Sequence, residues 1–537
     1  MNRSADWLAR RLYEAGCRHA FGMPGGEVLT IVDALIAAGI TFTLCKHENA
    51  AGFMAEGTYH STQAPGILVG TVGPGAANCV NVVANAHQDR VPLIVLTGCI
   101  DPDEALTYTH QVFDHRALYQ TITKATFTLT AAGAEIIGDK AIAIAMGDRP
   151  GPVHIDIPIS IADAVVDKPL RSRHVPASPT APSEDKALAT ARTWLTEAKR
   201  PIMIAGLDVM NHNASQAVRS FAQSYGVPVV TTYKAKGIIP EDDPLSLGGA
   251  GLSPLADKVL IPLFRESDLI LAVGYDPIEM RTGWRDVWKA EEQRVVEFAA
   301  APNLHFMHHS TLSFVCHVGA GLEALSRGVK PQKTWGSVKA PVAKKAHREA
   351  FLSKGKWGPA AVVESVRRIF PRNTIATADS GAHRILLSQL WDCYEPRGLL
   401  QSSGLCTMGC ALPLGIGAQL VDQERPVVVF SGDAGLLMVL GELSTVHELQ
   451  IPLTIVVFVD ASLALIEMKQ RSRQMSNAAV DFGRFDFAAV ARAAGGVGET
   501  VTDLSSLEQA LDAAVRRKGQ FTLIAAIIDR RAYDGRI

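Results

Sequence analysis

Short apolar runs alternate with longer stretches whose apolar positions recur at helical spacing, and this alternation continues along nearly the whole chain. The runs at 41–44, 66–71, 93–97 and 153–157 fall in a first block. Those at 201–205, 227–232 and 269–273 fall in a second, and those at 427–430 and 453–459 in a third. Runs of this length between helical patterns predict strands joined by crossover helices. Each block is therefore expected to be α/β, a doubly wound parallel sheet. The N-terminus fits the same rhythm: Trp7, Leu8, Leu12 and Tyr13 recur on one helical face before an apolar run at 19–21. It is read as the first helix of the fold and not a targeting signal, because it lacks the apolar block of a signal peptide.

Two stretches break the rhythm. Residues 166–187 are polar and Pro-rich, and residues 331–357 are basic and aperiodic; both predict linkers. The expected domains are 1–165, 188–330 and 358–537. At 537 residues, 47% hydrophobic and 20% charged, with a net charge of −2, the chain has neither a basic field for nucleic acid nor an acidic tail. It has no apolar run of 18 residues to span a membrane. The eight cysteines (17, 45, 79, 99, 316, 393, 406, 410) show neither CxxC nor zinc spacing. They are expected to be buried free thiols in a reducing cytoplasm.

Candidate chemistry concentrates in the first and third blocks. The run at 427–430 leads into Gly432-Asp433-Ala434-Gly435, an amphipathic helix and a second run that stops at Asp460. In such a βαβ unit the strand ends lie side by side, so Asp433 and Asp460 can converge at one sheet edge. Two hard oxygen ligands there suit Mg²⁺ holding a diphosphate. In the first block, Glu48 stands between an apolar run and an Ala/Gly-rich helix. Phe21-Gly22-Met23-Pro24-Gly25-Gly26 and Gly73-Pro74-Gly75-Ala76-Ala77-Asn78 supply two glycine loops on the same expected edge.

Together these motifs resemble the pyruvate oxidase and acetohydroxyacid synthase group of thiamin-diphosphate enzymes. The Gly-Asp-Gly signature followed by Asn matches Gly432-Asp433-Ala434 and Asp460. The His-Glu pattern matches His47-Glu48, and Ser-Gly-Pro-Gly-Ala-x-Asn matches Val72 to Asn78. The group's Met-Gly and Leu-Pro segment matches Gly404 to Ala418, and its Gly-Gln-His becomes Gly381-Ala382-His383. The resemblance implies a pyrimidine-binding domain first, a central domain next and a diphosphate-binding domain last. It implies Glu48 against N1′ of the cofactor and Met408 as the wedge that bends it. Asp433, Asp460 and the Ser462 carbonyl would be metal ligands. Gly25, Gly26, Gly73, Asn78, Ala382, His383, Gly432, Ala434, Gly435, Leu463 and Leu465 would line the cofactor. It further implies a homodimer or homotetramer with active sites at the subunit interface.

Within the group, His110-Gln111-Val112-Phe113-Asp114 and the segment 273–279 resemble the flavin-free, catabolic acetolactate synthases, so no FAD is expected. Gln111 would face the reacting carbon. After Asp460, however, Ala461 to Ile466 depart from the group's pattern, and Lys469 stands where relatives carry Gln or Trp; Ile466 and Lys469 are the candidate acceptor-pocket residues. The expected activity is decarboxylation of a 2-oxo acid, pyruvate first, with carboligation to a second carbonyl. Alternatives are a decarboxylase, lyase or acetyltransferase acting on a sulfo- or phosphono-substituted acid or aldehyde, and a non-catalytic cofactor-binding subunit. Glyoxylate carboligase is disfavoured, since it lacks the Glu that stands here as Glu48.

Overall fold

A computed structural model describes residues 2–537 except 172–174, 279 and 333. Glu279, the last residue of the 273–279 segment, and 172–174 of the first expected linker therefore lie outside the described residues, as does Lys333 of the second. Three six-stranded sheets follow one another along the chain. The first holds β1 (His19–Met23), β2 (Thr41–Leu44), β3 (Gly66–Gly70), β4 (Leu93–Cys99), β5 (Ala125–Thr128) and β6 (Val153–Pro158), in the order β2-β1-β3-β4-β6-β5. The second holds β7 (Pro201–Ala205), β8 (Val229–Thr232), β9 (Ser246–Ala250), β10 (Leu269–Val273), β11 (Arg294–Ala299) and β12 (Leu312–Val315), in the order β12-β11-β10-β7-β8-β9. The third holds β13 (Ile375–Ala378), β14 (Leu399–Gln401), β15 (Val427–Gly432), β16 (Thr454–Val459), β17 (Val497–Val501) and β18 (Thr522–Ile527), in the order β14-β13-β15-β16-β18-β17. Neighbouring strands pair in parallel throughout.

Counted within each sheet, the first and third share one strand order, 2-1-3-4-6-5, which no sequence repeat had announced. The second winds as 3-2-1-4-5-6 when read from the β9 edge inverted, a different topology. The segment 331–357 is not the irregular connector expected: it carries a helix, Gly336–Phe351. Its buried face is Ala340, Ala343, His347 and Phe351, at helical spacing but too weakly apolar to stand out from the lysines around it.

The first and third sheets are joined through two helices, Glu48–Thr62 after β2 and Ala411–Val421 after β14. Both are buried nearly all round, and both lie within one hydrophobic cluster that includes Phe53, Met54, Leu414, Ile416 and Val429. Glycine sets their approach. A Cβ on Gly57 would lie 2.4 Å from the Leu414 carbonyl oxygen, and one on Gly417 would lie 2.0 Å from that of Met54. A glycine inside a helix costs about 1 kcal/mol relative to alanine; here that cost is offset by backbone-to-backbone contact that any side chain would prevent.

Gly57→Ala and Gly417→Ala are each expected to destabilise the protein. Overpacking against a rigid carbonyl costs about 1–3 kcal/mol or more and outweighs the gain in helix propensity. Thermal unfolding checks this: Tm should fall by about 3 °C or more. Gly283→Ala, whose added Cβ would meet nothing within 4 Å, should leave Tm nearly unchanged.

Candidate active site

The C-terminal ends of β2, β1 and β3 form one edge of the first sheet, and the predicted residues gather there. His47 caps the helix that follows β2, its Nδ1 accepting from the Asn49 amide at 3.1 Å. Glu48, in the first turn, is 5% exposed. Its Oε2 accepts from Asn78 Nδ2 at 3.0 Å, and its Oε1 lies 3.4 Å from where a Gly75 Cβ would be. Gly73 has φ +67°, a conformation glycine adopts without strain. Its open face is covered by Gln111, whose Cβ would lie 2.7 Å from a Gly73 Cβ. The structure thus brings Glu48, Gly73, Asn78 and Gln111 together. Gly25 presses on Thr71, where a Cβ would sit 2.2 Å from Oγ1, while Gly26 faces open space.

Two further supports went unread in the sequence. The Gly73 amide donates to His115 Nε2 at 3.4 Å, and His115 Nδ1 lies 3.0 Å from Asp156 Oδ1. Hydrogen bonds from His115, His154 and Thr97 outweigh burial and hold the Asp156 carboxyl far below the ordinary range. The other support comes from the third sheet's domain. Glu442, 1% exposed, accepts from the backbone amides of Lys46 at 2.9 Å and His47 at 3.1 Å, fixing the turn that presents Glu48. Neither is legible beforehand: His115 and Glu442 read as polar residues on short helices, and only the fold supplies their partners.

At the corresponding edge of the third sheet, β15 and β16 pair in register through Gly432 and Phe458, so their ends deliver Asp433 and Asp460 side by side. The single amphipathic helix expected after Asp433 is two short ones, Asp433–Met438 and Glu442–Glu448. Asp433 accepts from the amides of Ala434 (2.8 Å) and Ala461 (2.7 Å), and Asp460 from that of Ser462 (3.2 Å). Burial raises both carboxyls, and the neighbouring charge of Asp433 helps push Asp460 up to about 7. His383 is buried against Gly432 and stacked on Phe458, with burial pushing its imidazole down to about 3. Ala382 opens its helix, Ala382–Leu390. Leu463 precedes helix Ala464–Ser472, on which Ile466 and Lys469 are exposed. Leu465 instead packs against the core between the second and third sheets.

Met408 is half-buried and follows a loop pinned at its far end by Asp379, another residue the sequence did not single out. Asp379 is fully buried and accepts from the amides of Gly409 (2.7 Å) and Cys410 (3.3 Å), and from Ser431 Oγ (3.1 Å). Gly435 is obligatory beside it, since a Cβ there would lie 1.8 Å from Asp379 Oδ2.

The residues at this edge fit a metal-bound diphosphate. Burial raises both carboxyls and the charge of Asp433 raises Asp460 further, a condition that a divalent cation relieves. Beside them His383 Nε2 and Ser380 Oγ are buried without a protein hydrogen-bond partner, the state of groups that await a ligand. Among the described residues no cluster of three or more His, Cys, Asp or Glu forms a metal site.

A duplicated α/β pair around a third domain, with a buried Glu at one sheet edge and paired carboxylates at the other, defines a thiamin-diphosphate-dependent enzyme. Comparison with known families agrees along the chain. Residues 2–118 match the thiamine pyrophosphate enzyme N-terminal TPP binding domain, 188–325 its central domain, and 379–526 its C-terminal TPP binding domain. The acetolactate synthase of Bacillus subtilis is 29% identical over 534 residues, covering 96% of this chain and 92% of the relative. The acetolactate synthase large subunit of Parasynechococcus marenigrum is 30% identical over 541 residues, covering 95% and 85%. The catabolic acetolactate synthase of Raoultella terrigena is 27% identical over 545 residues, covering 98% and 95%. The chain belongs to the thiamine pyrophosphate enzyme family and is an acetolactate synthase-like member of it.

None of the eight cysteines forms a disulfide among the described residues. Six are buried as expected, but Cys99 is half-buried and Cys406 is exposed in the loop before Met408. No helix among the described residues is long and apolar enough to cross a membrane.

The raised Asp460 gives the site a pH dependence. Its carboxyl is pushed up to about 7, so a cation binding there at lower pH would have to displace a proton. Affinity of the cofactor-free protein for Mn²⁺, followed by its paramagnetic signal, should therefore rise about tenfold per pH unit from 5 to 7 and level off above. A flat profile would mean that Asp460 is already ionised or is not a ligand.

Proposed function

We propose that the protein is a cytoplasmic, Mg²⁺- and thiamin-diphosphate-dependent enzyme that decarboxylates a 2-oxo acid, pyruvate foremost, and joins the acyl unit to a second carbonyl. Residues 1–165, 188–330 and 358–537 are read as its pyrimidine-binding, central and diphosphate-binding domains. The observation that carries the reading is the buried Glu48, oriented by Asn78 in a crevice that Gln111 covers. Acetolactate synthase-named relatives matching along nearly the whole chain support it.

Thiamin diphosphate, when bound, supplies the nucleophilic carbon and the electron sink for decarboxylation. Glu48 holds a proton at the ring nitrogen N1′, and its burial keeps water from competing for that hydrogen bond. Asp433, Asp460 and the Ser462 carbonyl would hold Mg²⁺, and His383 Nε2 would donate to the diphosphate. Met408 would pack against the bound cofactor and shape it. Gln111 presents an amide to the carboxylate or carbonyl of the substrate. The segment 273–278 supports a flavin-free enzyme.

Exposed apolar side chains lie in the segments that carry both half-sites: Leu106, Tyr108 and Phe113 in the stretch around Gln111, and Leu437 and Met438 on the helix that begins at Asp433. Exposed apolar side chains in such segments are a feature of protein contact sites. A homodimer that sets one subunit's Glu48 edge against its partner's Asp433 edge, alone or doubled to a tetramer, would cover them. Substrates are small molecules; neither nucleic acid nor membrane is a partner.

Lys469 favours a second reading. It is exposed one helical turn from Ile466, where its charge would attract an acceptor or donor with a second acidic group by about 1–4 kcal/mol. That would suit a sulfo- or phosphono-substituted acid. A panel of 2-oxo acids with added cofactor and Mg²⁺ separates the readings. Acetolactate from pyruvate is the expected product; turnover confined to doubly acidic substrates supports the second reading, and no CO₂ from any acid would leave a non-catalytic subunit.

Glu48→Gln should keep the fold and cofactor binding but slow exchange of the cofactor's C2 proton for deuterium by about two orders of magnitude or more, as loss of a general acid–base group does. Exchange at the wild-type rate would remove Glu48 from its assigned role.

A further inference from the structure

Residues 401–408, which lead from the end of β14 to Met408, are irregular beyond Gln401, yet several of their polar groups are bound by residues from other parts of the chain. Helix Val80–Asp89 of the first domain lies alongside. Asn81, Asn85 and Asp89 stand at i, i+4 and i+8, one stripe along one helix face. Asn81 Oδ1 accepts from Thr407 Oγ1 at 2.9 Å, and Asn85 Oδ1 accepts from Ser402 Oγ at 2.6 Å. Ser402 Oγ in turn accepts from the Thr407 amide at 2.9 Å, closing the loop on itself. Asp89, 1% exposed, takes two consecutive amides, Ser403 at 3.0 Å and Gly404 at 2.6 Å.

A third domain completes the arrangement. Lys234, in the turn after β8, places its ammonium 2.8 Å from Asp89 Oδ2, 3.2 Å from the Gln401 carbonyl oxygen and 3.8 Å from Glu56 Oε1. Lys234 is 8% exposed and Glu56 1%. Glu56 also accepts from Asn85 Nδ2 at 3.3 Å. Burial pushes its carboxyl up to about 7, against the pull of Lys234. The ammonium therefore balances Asp89 first, and Asp89 stays available to the two amides. Every member has a partner, the condition under which a buried polar network specifies one geometry.

We propose that Asn81, Asn85, Asp89 and Lys234 are positioning residues that set the path of residues 401–408, and through it the placement of Met408. The central domain thereby contributes to the active site by neutralising the carboxylate that holds the loop. Met408 sits between two such anchors, Asp89 on Ser403 and Gly404 and Asp379 on Gly409 and Cys410. Releasing the first leaves it tethered on one side only. The proposal rests on the reading of Met408 as the residue that shapes the bound cofactor; its structural half does not.

Lys234→Met retains the length of the side chain and removes the charge. In the cofactor-free protein, deuterium uptake over 401–408 is expected to speed by about tenfold or more, with uptake over helix Ala411–Val421 within about twofold of wild type. In the loaded enzyme kcat should fall about tenfold while the substrate KM stays within about threefold, because the loop shapes the cofactor and not the substrate contacts. Asn81→Ala, at an exposed position, covers the case in which Lys234→Met fails to fold; it should speed uptake over 405–408 by about threefold. Unchanged uptake in the foldable variants overturns the proposal, as does uptake that rises equally in the loop and in helix Ala411–Val421, which would signify general loosening. Because the exchange experiment uses neither cofactor nor substrate, its outcome stands apart from whether the 2-oxo acid reading holds.

Discussion

Contact between helices Glu48–Thr62 and Ala411–Val421 is the constraint on which the rest of the structure depends. Two α/β domains of the same strand order meet back to back across it, and glycines at 57 and 417 bring the backbones close enough that neither helix can slide or roll. One helix begins with Glu48; the other begins three residues after Met408. The packing that forms the shared core therefore also fixes where the two functional ends point. Close-packed interiors transmit small displacements instead of absorbing them, so a core contact remote from the crevice acts on its geometry.

A second device recurs around that contact: a buried carboxylate accepting two consecutive backbone amides. Glu442 takes those of Lys46 and His47, Asp89 those of Ser403 and Gly404, and Asp379 those of Gly409 and Cys410. Hydrogen bonds to a charged acceptor are about twice as strong as neutral ones, and they tie down irregular backbone that no ladder or helix would satisfy. Two of the three act between domains and are reciprocal: the third domain holds the turn before Glu48, and the first holds the loop before Met408. Each half-site is thus shaped partly by the domain that carries the other.

The sequence showed the sheets and the reacting groups well, because both are local. Strands such as 201–205 and 269–273 are apolar on both faces and stand out without context, and Asp433, Asp460 and Glu48 stand at strand ends, where a parallel sheet delivers side chains to its edge. The supports were not legible. Glu442, His115, Asp379, Asp89 and Lys234 find partners from one to several hundred residues away, and nothing in their neighbourhoods distinguishes them from solvated polar positions. Helix Gly336–Phe351 was missed for a related reason, since a face made of alanines carries little hydrophobic signal. The match between the first and third sheets was hidden because a strand order can be kept while every side chain that fills it changes.

The central domain is tied to the rest of the chain through two buried lysines. Lys234 and Lys236 lie two residues apart in the segment after β8, and both are buried. Removing an ammonium from water costs several kcal/mol unless a carboxylate and further acceptors replace its hydration. Lys236 meets that condition through Glu241, which also accepts from the Cys393 amide of the third domain. Lys234 meets it where the first and third domains converge, at Asp89, Glu56 and the Gln401 carbonyl. Undocked, the central domain would expose this charge to water at little cost, but docked it must find these partners in place. The seating of the central domain and the path of the loop that leads to Met408 are therefore tied to the same buried ammonium.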